Sequence, residues 1–223
     1  MSATDLLAHA SALLLDFDGP VCSVFAGVPA SAVAGQLRGV LADSGHIDLP
    51  KAVATSADPF DVLKYATTLG KDETYSVEAA FAAHEVEAIS SAVPAAGAHE
   101  LIEAWHASGR PLAIVSNNGT QAINAYLDLY NLRQSINFVS ARTSSNTALL
   151  KPNPHLLLQA VTALSVTPVD SVFLGDSLTD IQASNAAGIA CIGYANKVDK
   201  YDTFAKAGAD AITAALPGIS TEH

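Results

Sequence analysis

Apolar and polar positions recur along this chain at two different periods, and the contrast divides it into strands and helices. Short unbroken apolar runs stand at Leu13-Leu14-Leu15, Pro111-Leu112-Ala113-Ile114-Val115 and Val172-Phe173-Leu174. Runs of that length read as strands buried on both faces. Between them apolar residues return at helical spacing, over Ala98–Ala107, 121–129, 154–164 and Leu178–Ala187. Buried strands alternating with helices form βαβ units, so the fold class expected is α/β, a parallel sheet with helices on both faces and right-handed crossovers.

Residues 28–93 fall between the first strand and the next core helix, too long a stretch for a simple loop. They carry a helical pattern of their own. Asp58-Pro59 is an N-cap followed by proline at the first helical position, and Phe60, Leu63, Tyr65 and Leu69 give that helix an apolar face. Residues 77–89 predict another helix, and Val33, Leu37, Val40 and Leu41 a third. The division expected is a core of residues 1–27 and 94–223 with an inserted helical unit, 28–93.

Composition narrows the function. The chain has 223 residues, half of them hydrophobic, enough to bury a sizeable core. Its formal charge of −11 and the lack of a basic face exclude nucleic-acid binding through phosphates. An anionic substrate would need a cation and a few placed lysines or arginines to overcome that field. No apolar run approaches the ~20 residues of a membrane span, and Met1-Ser2-Ala3-Thr4-Asp5 lacks the basic start of a signal peptide. A cytoplasmic protein without membrane contact is expected. Cys22 and Cys191 are far apart and read as small buried apolar residues, and His46, His84 and His99 read as surface or helix residues without metal-type spacing.

The chemistry gathers where the strands end. Leu15 is followed by Asp16-Phe17-Asp18-Gly19-Pro20, and since a strand reverses its side chains at each step, Asp16 and Asp18 share one face. Two crowded carboxylates suit a hard cation such as Mg²⁺. The second run ends at Ser116-Asn117-Asn118 and the third at Gly175-Asp176-Ser177, with Asp180 at the opening of the following helix. Ligands bind beyond the carboxyl ends of strands in such sheets, so these residues converge. Lys151, in Lys151-Pro152-Asn153-Pro154, stands on a stiff approach that can aim an ammonium inward. Taken singly, each has a plain structural reading: Ser116-Asn117-Asn118 as a cap for the helix from Thr120, Asp180 as an acid at a helix N-terminus, Lys151 as a solvated side chain.

In order and together they resemble the haloacid dehalogenase-like hydrolase superfamily. Asp16-Phe17-Asp18-Gly19 resembles its first motif, Ser116-Asn117 the second, Lys151-Pro152 the third and Gly175-Asp176-Ser177-Leu178-Thr179-Asp180 the fourth; Ala186-Ala187-Gly188-Ile189 is also similar to what usually follows. The likeness is to the phosphatase branch with an inserted helical cap, of the phosphoglycolate phosphatase and β-phosphoglucomutase kind, and it implies a Rossmann-like core. It also implies Mg²⁺-dependent hydrolysis of a small phosphorylated metabolite through an aspartyl-phosphate. Asp16 would be the nucleophile and Asp18 the general acid and then base. Ser116, a backbone N–H near Asn117, and Lys151 would hold the phosphate. Asp16, the Asp18 carbonyl and Asp176 would hold Mg²⁺, with Asp180 in support. Dehalogenases and phosphonate hydrolases of this fold depart at the position of Asp18. A sugar-phosphate mutase keeps that acid and stays open as an alternative, as does a catalytically silent member that binds a phosphorylated ligand. The silent reading draws on Pro20, which stands where the family commonly has threonine. The family's cap selects the substrate, and Arg38, Lys51, Lys64 and Lys71 are the basic residues of this one. A monomer or homodimer is expected.

Overall fold

The computed structural model describes residues 1–197 and 199–217. Helix α1 (Ala3–His9) opens on a reciprocal cap in which the Ser2 hydroxyl accepts the Asp5 N–H and the Asp5 carboxylate accepts the Ser2 N–H. Strand β1 (Ala12–Leu15) follows, wholly buried. After β2 (Cys22–Ser23) the chain leaves the core for α2 (Ala30–Asp43), α3 (Lys51–Ala54), α4 (Pro59–Leu69) and α5 (Lys71–Ile89), and returns through β3 (Val93–Pro94), antiparallel to β2. The remainder alternates: α6 (Ala98–Ala107), β4 (Leu112–Gly119), α7 (Thr120–Leu129), β5 (Phe138–Arg142), α8 (His155–Ala163), β6 (Ser171–Gly175), α9 (Leu178–Ala187), β7 (Ala190–Tyr194), α10 (Lys200–Ala207) and β8 (Ala211–Thr213).

Six strands make one parallel sheet in the order β5-β4-β1-β6-β7-β8, the Rossmann-like α/β arrangement expected from the alternation. Successive residues of one strand feed different layers. Leu13 and Leu15 pack with Trp105 and Tyr126 on one face, while Leu14 packs with Leu157 and Ile181 on the other. Truncating any of these leucines to alanine would cost roughly 2–5 kcal/mol, because the close-packed surroundings cannot collapse into the gap. From β1 the chain fills one side of the sheet with β4 and β5, then crosses to the other with β6, β7 and β8. The reversal beside β1 opens a crevice at the carboxyl ends of β1, β4 and β6.

Helices α2, α4 and α5 enclose a separate apolar cluster that includes Leu37, Leu63 and Phe81. Asp58 caps α4 by accepting the Phe60 N–H at 2.9 Å, with Pro59 in the first turn. Helix α5 begins six residues before the predicted pattern, at Lys71 rather than 77, since its first turn is polar and carries Asp72 and Glu73. Both cysteines are buried and free. His46 Nε2 lies 3.1 Å from Glu73 Oε1, and His99 Nε2 lies 2.9 Å from the Tyr126 hydroxyl, so both bind neighbouring helices. Among the described residues no helix is long and apolar enough to cross a membrane.

Candidate active site

Adjacent strands deliver the predicted residues to one place. Asp16 and Asp18 leave the end of β1, Ser116 to Asn118 lie in the last turn of β4, and Asp176 follows β6. Asp16 is buried; its Oδ1 accepts the Phe17 N–H at 2.8 Å and stands 2.8 Å from Lys151 Nζ. Among the described residues nothing hydrogen-bonds its Oδ2. A carboxylate anchored through one oxygen presents the other to a ligand.

Lys151 is not solvated. Its ammonium lies against three oxygens, pairing with Asp16 Oδ1 at 2.8 Å and Asp180 Oδ1 at 2.6 Å and donating to the Val115 carbonyl at 3.2 Å. Burial opposes its charge, yet the two carboxylates outweigh burial and hold its pKa above the ordinary lysine value. Asp180 responds in kind: burial raises its pKa, but Lys151 and the Ser177 hydrogen bonds win and leave it below the usual range. Asp16 goes the other way. Burial first, then repulsion from Asp180, push it well above the usual carboxylate range against the pull of Lys151. Asp18 is pushed up to about 6, chiefly by burial and further by the charges of Asp176 and Glu85, while the Val24 N–H at 2.9 Å pulls it down.

Close approach is built into the turn after β1. Gly19 has φ +112°, and a Cβ there would lie 2.3 Å from Asp176 Cγ, so only glycine fits. The neighbouring Gly19 and Val21 N–H groups close the turn on Cys22 O at 2.7 Å and Phe17 O at 3.1 Å. Pro20 lies between them, where no N–H is required.

Asp16, Asp176 and Asp180 each offer a carboxylate oxygen, all within 4.8 Å of one another. Hard oxygens in a cluster with too little positive charge fit a divalent cation such as Mg²⁺. Asp180 is the least available of the three. Its Oδ2 accepts the Asp176 N–H at 3.0 Å, the Ser177 N–H at 2.9 Å and the Ser177 hydroxyl at 2.7 Å, so it shapes the turn that carries Asp176. Asp176 Oδ2 is itself held by Lys200 Nζ at 2.6 Å and Asn196 Nδ2 at 3.2 Å. The Asp18 side chain stands outside this carboxylate cluster.

Between the pairs Ser116–Ala141 and Gly119–Arg142, β4 carries two residues with no counterpart on β5. The bulge re-aims the turn. Asn117 grips the Lys151 backbone, its Oδ1 accepting the Lys151 N–H at 2.8 Å and its Nδ2 donating to the Lys151 carbonyl at 3.1 Å. Its side chain thus positions Lys151. Ser116 Oγ donates to Asn118 Oδ1 at 3.0 Å and accepts the Asn118 N–H at 3.2 Å. None of these side chains caps α7, whose N-cap is Gly119.

A cavity of about 220 Å³ lies over Asp16, Asp18, Ser116, Lys151 and Asp176, closed on one side by Asp58, Phe60 and Lys64 of the helical unit. Of the four basic residues in that unit only Lys64 lines it. The Arg38 guanidinium instead donates to Ser56 O at 2.8 Å and Val53 O at 3.4 Å inside the unit. Three residues that no motif marks also belong here: Lys200, through Asp176, and the buried pair Arg142 and Glu85, whose Nη2 and Oε2 are 2.5 Å apart. The only signal for Arg142 was a charge ending the stretch Phe138-Val139-Ser140-Ala141, which a surface residue would give equally.

Residues 58–194 match the family described as haloacid dehalogenase-like hydrolase. The phosphoglycolate phosphatase of Salmonella paratyphi A is 33% identical over 94 residues, 42% of this chain and 36% of that protein; that of Pseudomonas putida is 28% identical over 97 residues, 44% and 35%. The chain thus matches about a third of the length of these curated relatives. In fold it is similar to CbbY from Rhodobacter sphaeroides, solved in complex with phosphate, at TM-score 0.69 and 19% identity over 92% of this chain and 94% of that one. A subfamily IA hydrolase from Geobacter sulfurreducens gives TM-score 0.59 and 20% identity over 96% of both chains.

Proposed function

Because the chain belongs to the haloacid dehalogenase-like hydrolase family, we propose that it hydrolyses small phosphoric monoesters through an aspartyl-phosphate on Asp16. The observation that carries this reading is a pair of acids with different duties: Asp16, anchored through Oδ1 with Oδ2 unengaged, and Asp18 beside it, pushed up to about 6. Asp16 Oδ2 attacks phosphorus and the ester oxygen leaves with the proton of Asp18. Asp18, now a carboxylate, takes a proton from the water that hydrolyses the aspartyl-phosphate. Lys151 offsets the charge on Asp16, and the Ser116 hydroxyl, its proton turned from Asn118 Oδ1 to the substrate, holds a phosphoryl oxygen together with a backbone N–H near Asn117. Asp16, the Asp18 carbonyl and Asp176 would hold Mg²⁺, with Asp180 in support; the ion when bound would neutralise charge on the phosphoryl oxygens.

Residues 28–93 act in this reading as the cap that selects the leaving group. A cavity of about 220 Å³ suits a leaving group of few atoms, and Lys64 on its wall suits an anionic one. The names of the curated relatives make phosphoglycolate the first ester to try. The turn around Pro20 closes through the Gly19 and Val21 N–H groups without one at Pro20, which supports the active reading over the silent one.

The test is phosphate release from p-nitrophenyl phosphate and a panel of metabolite esters. Hydrolysis should require Mg²⁺, stop with a chelator, and vanish in Asp16→Asn. No release from any ester by the wild type would end this reading; an isomerised sugar phosphate without release would make it a mutase.

A further inference from the structure

We propose that Glu85, on helix α5, is a positioning residue for the phosphate-binding turn of β4, with Arg142 as its counter-ion. The inference rests on the reading above, in which Ser116 holds phosphate. Glu85 is wholly buried; its Oε1 accepts Asn118 Nδ2 at 2.9 Å and its Oε2 accepts the Gly119 N–H at 3.1 Å. A carboxylate only accepts, so the end of the Asn118 amide facing it has to be the NH₂. The amide oxygen is thereby turned to Ser116 Oγ, 3.0 Å away. The position of Ser116 Oγ is thus set from another helix through Asn118: its N–H, 3.2 Å away, holds the oxygen, and its amide oxygen parks the hydroxyl proton until a phosphoryl oxygen takes it.

Arg142 completes the clamp. It meets Glu85 with two nitrogens, Nη2 at 2.5 Å and Nη1 at 3.3 Å, and Glu78 with Nε at 3.0 Å, while Nη1 also donates to the Asn117 carbonyl at 2.8 Å. A bulge interrupts the ladder at the residues it adds and beside them, and buried backbone groups there need other partners. Glu85 supplies one for the Gly119 N–H and Arg142 one for the Asn117 carbonyl. An ion pair that merely tied α5 to the core would not need to reach into this turn; here both partners do. Arg142 also lies 4.4 Å from the Phe81 ring and 5.5 Å from that of Phe60, which lines the cavity. The seat of α5 and the shape of the phosphate turn are therefore one set of contacts.

Gly119 offers a probe from the opposite side. A Cβ there would stand 2.9 Å from Glu85 Oε2, yet its φ of −67° and ψ of 138° suit any residue, so Gly119→Ala displaces the carboxylate without straining the backbone. Glu85→Gln keeps size and an acceptor but brings an NH₂ of its own, and no longer dictates the Asn118 orientation.

The experiment measures the affinity of the full chain for inorganic phosphate in Mg²⁺, by calorimetry and as competitive inhibition, well below each variant's melting temperature. Glu85→Gln and Gly119→Ala should each weaken phosphate about tenfold or more, leave Mg²⁺ affinity unchanged, and lower kcat/KM by the same factor for every ester. The double variant Glu85→Met/Arg142→Met removes both charges, which buried sites tolerate better than the loss of one; it should fold and show the same phosphate defect. Ser116→Ala should weaken phosphate in the wild-type background. If it does while Gly119→Ala and the double variant bind phosphate as the wild type does, Glu85 is a structural tie and the proposal falls alone. If Ser116→Ala has no effect, the phosphate site is elsewhere and both readings fall.

Discussion

Asp18 keeps its proton to about pH 6 because burial disfavours its charge more than the Val24 N–H favours it. The sign of the consequence for stability follows from linkage. A carboxyl group whose folded pKa lies above its unfolded value of 3.8 contributes stability that is complete below 3.8 and is lost as pH rises through about 6. Full conversion of that shift is roughly 3 kcal/mol, and about 1–2 kcal/mol is a fairer figure for a group that keeps some solvent contact. Asp18→Asn should therefore melt higher than the wild type in chelator above pH 6, with the difference closing toward pH 4. A pH-independent difference in scanning calorimetry would contradict the raised pKa. The same variant should lose roughly 10²-fold in turnover of alkyl esters and less with aryl phosphates, whose leaving groups need no proton. That both acids would line one cavity was legible in the sequence from their place after an apolar strand, although β1 ends at Leu15 and the turn, not strand alternation, brings Asp18 round. The grip of the Asn117 side chain on Lys151 was not: it depends on a two-residue bulge, and no periodicity encodes a bulge.

At the level of elements, α4 brings a single cation to the cavity wall, while Arg38 of α2 donates to carbonyls within the helical unit. Lys64→Ala should raise KM for an ester with an anionic leaving group several-fold and leave p-nitrophenyl phosphate nearly unchanged, because only the former meets α4. Arg38→Ala should leave the substrate ranking intact. Equal effects of Lys64→Ala on both esters, in steady-state assays, would show that α4 does not read the leaving group. The existence of α4 was legible from Asp58-Pro59 and its apolar face, since a cap and a stripe are local signals. Strand β5 was not legible. Ser140 and Arg142 interrupt its apolar run, and their acceptability depends on distant partners: Ser140 donates to Leu156 O at 2.7 Å, and Arg142 reaches Glu78 and Glu85 on α5. A buried polar residue looks like a surface residue until its partner is placed.

Over the whole molecule, a formal charge of −11 surrounds a crevice where Asp16, Asp176 and Asp180 stand within 4.8 Å of one another. The sheet order forces that concentration, since β1 and β6 are neighbours and their ends carry the acids. On the proposed reading, stability is thereby traded for a cation site. Lys151 and Lys200 offset part of the repulsion; burial first, and then the repulsion that remains, raise the pKa of Asp16. A divalent cation should then stabilise the folded chain beyond any general screening, by about 2.7 kcal/mol when present at a hundred times its dissociation constant. NaCl at matched ionic strength should give little of this, because screening acts weakly on buried pairs. Asp16→Asn separates the two contributions: it removes one carboxylate from the cluster, so it should melt above the wild type in chelator, yet gain less from added Mg²⁺ because a ligand oxygen is gone. Melting curves of both proteins with chelator, Mg²⁺ and NaCl decide the matter. If Mg²⁺ and NaCl raise the wild-type transition equally, or if Asp16→Asn melts lower without metal and gains as much with it, the carboxylates are not a strained cation site and the stability of the crevice has another source.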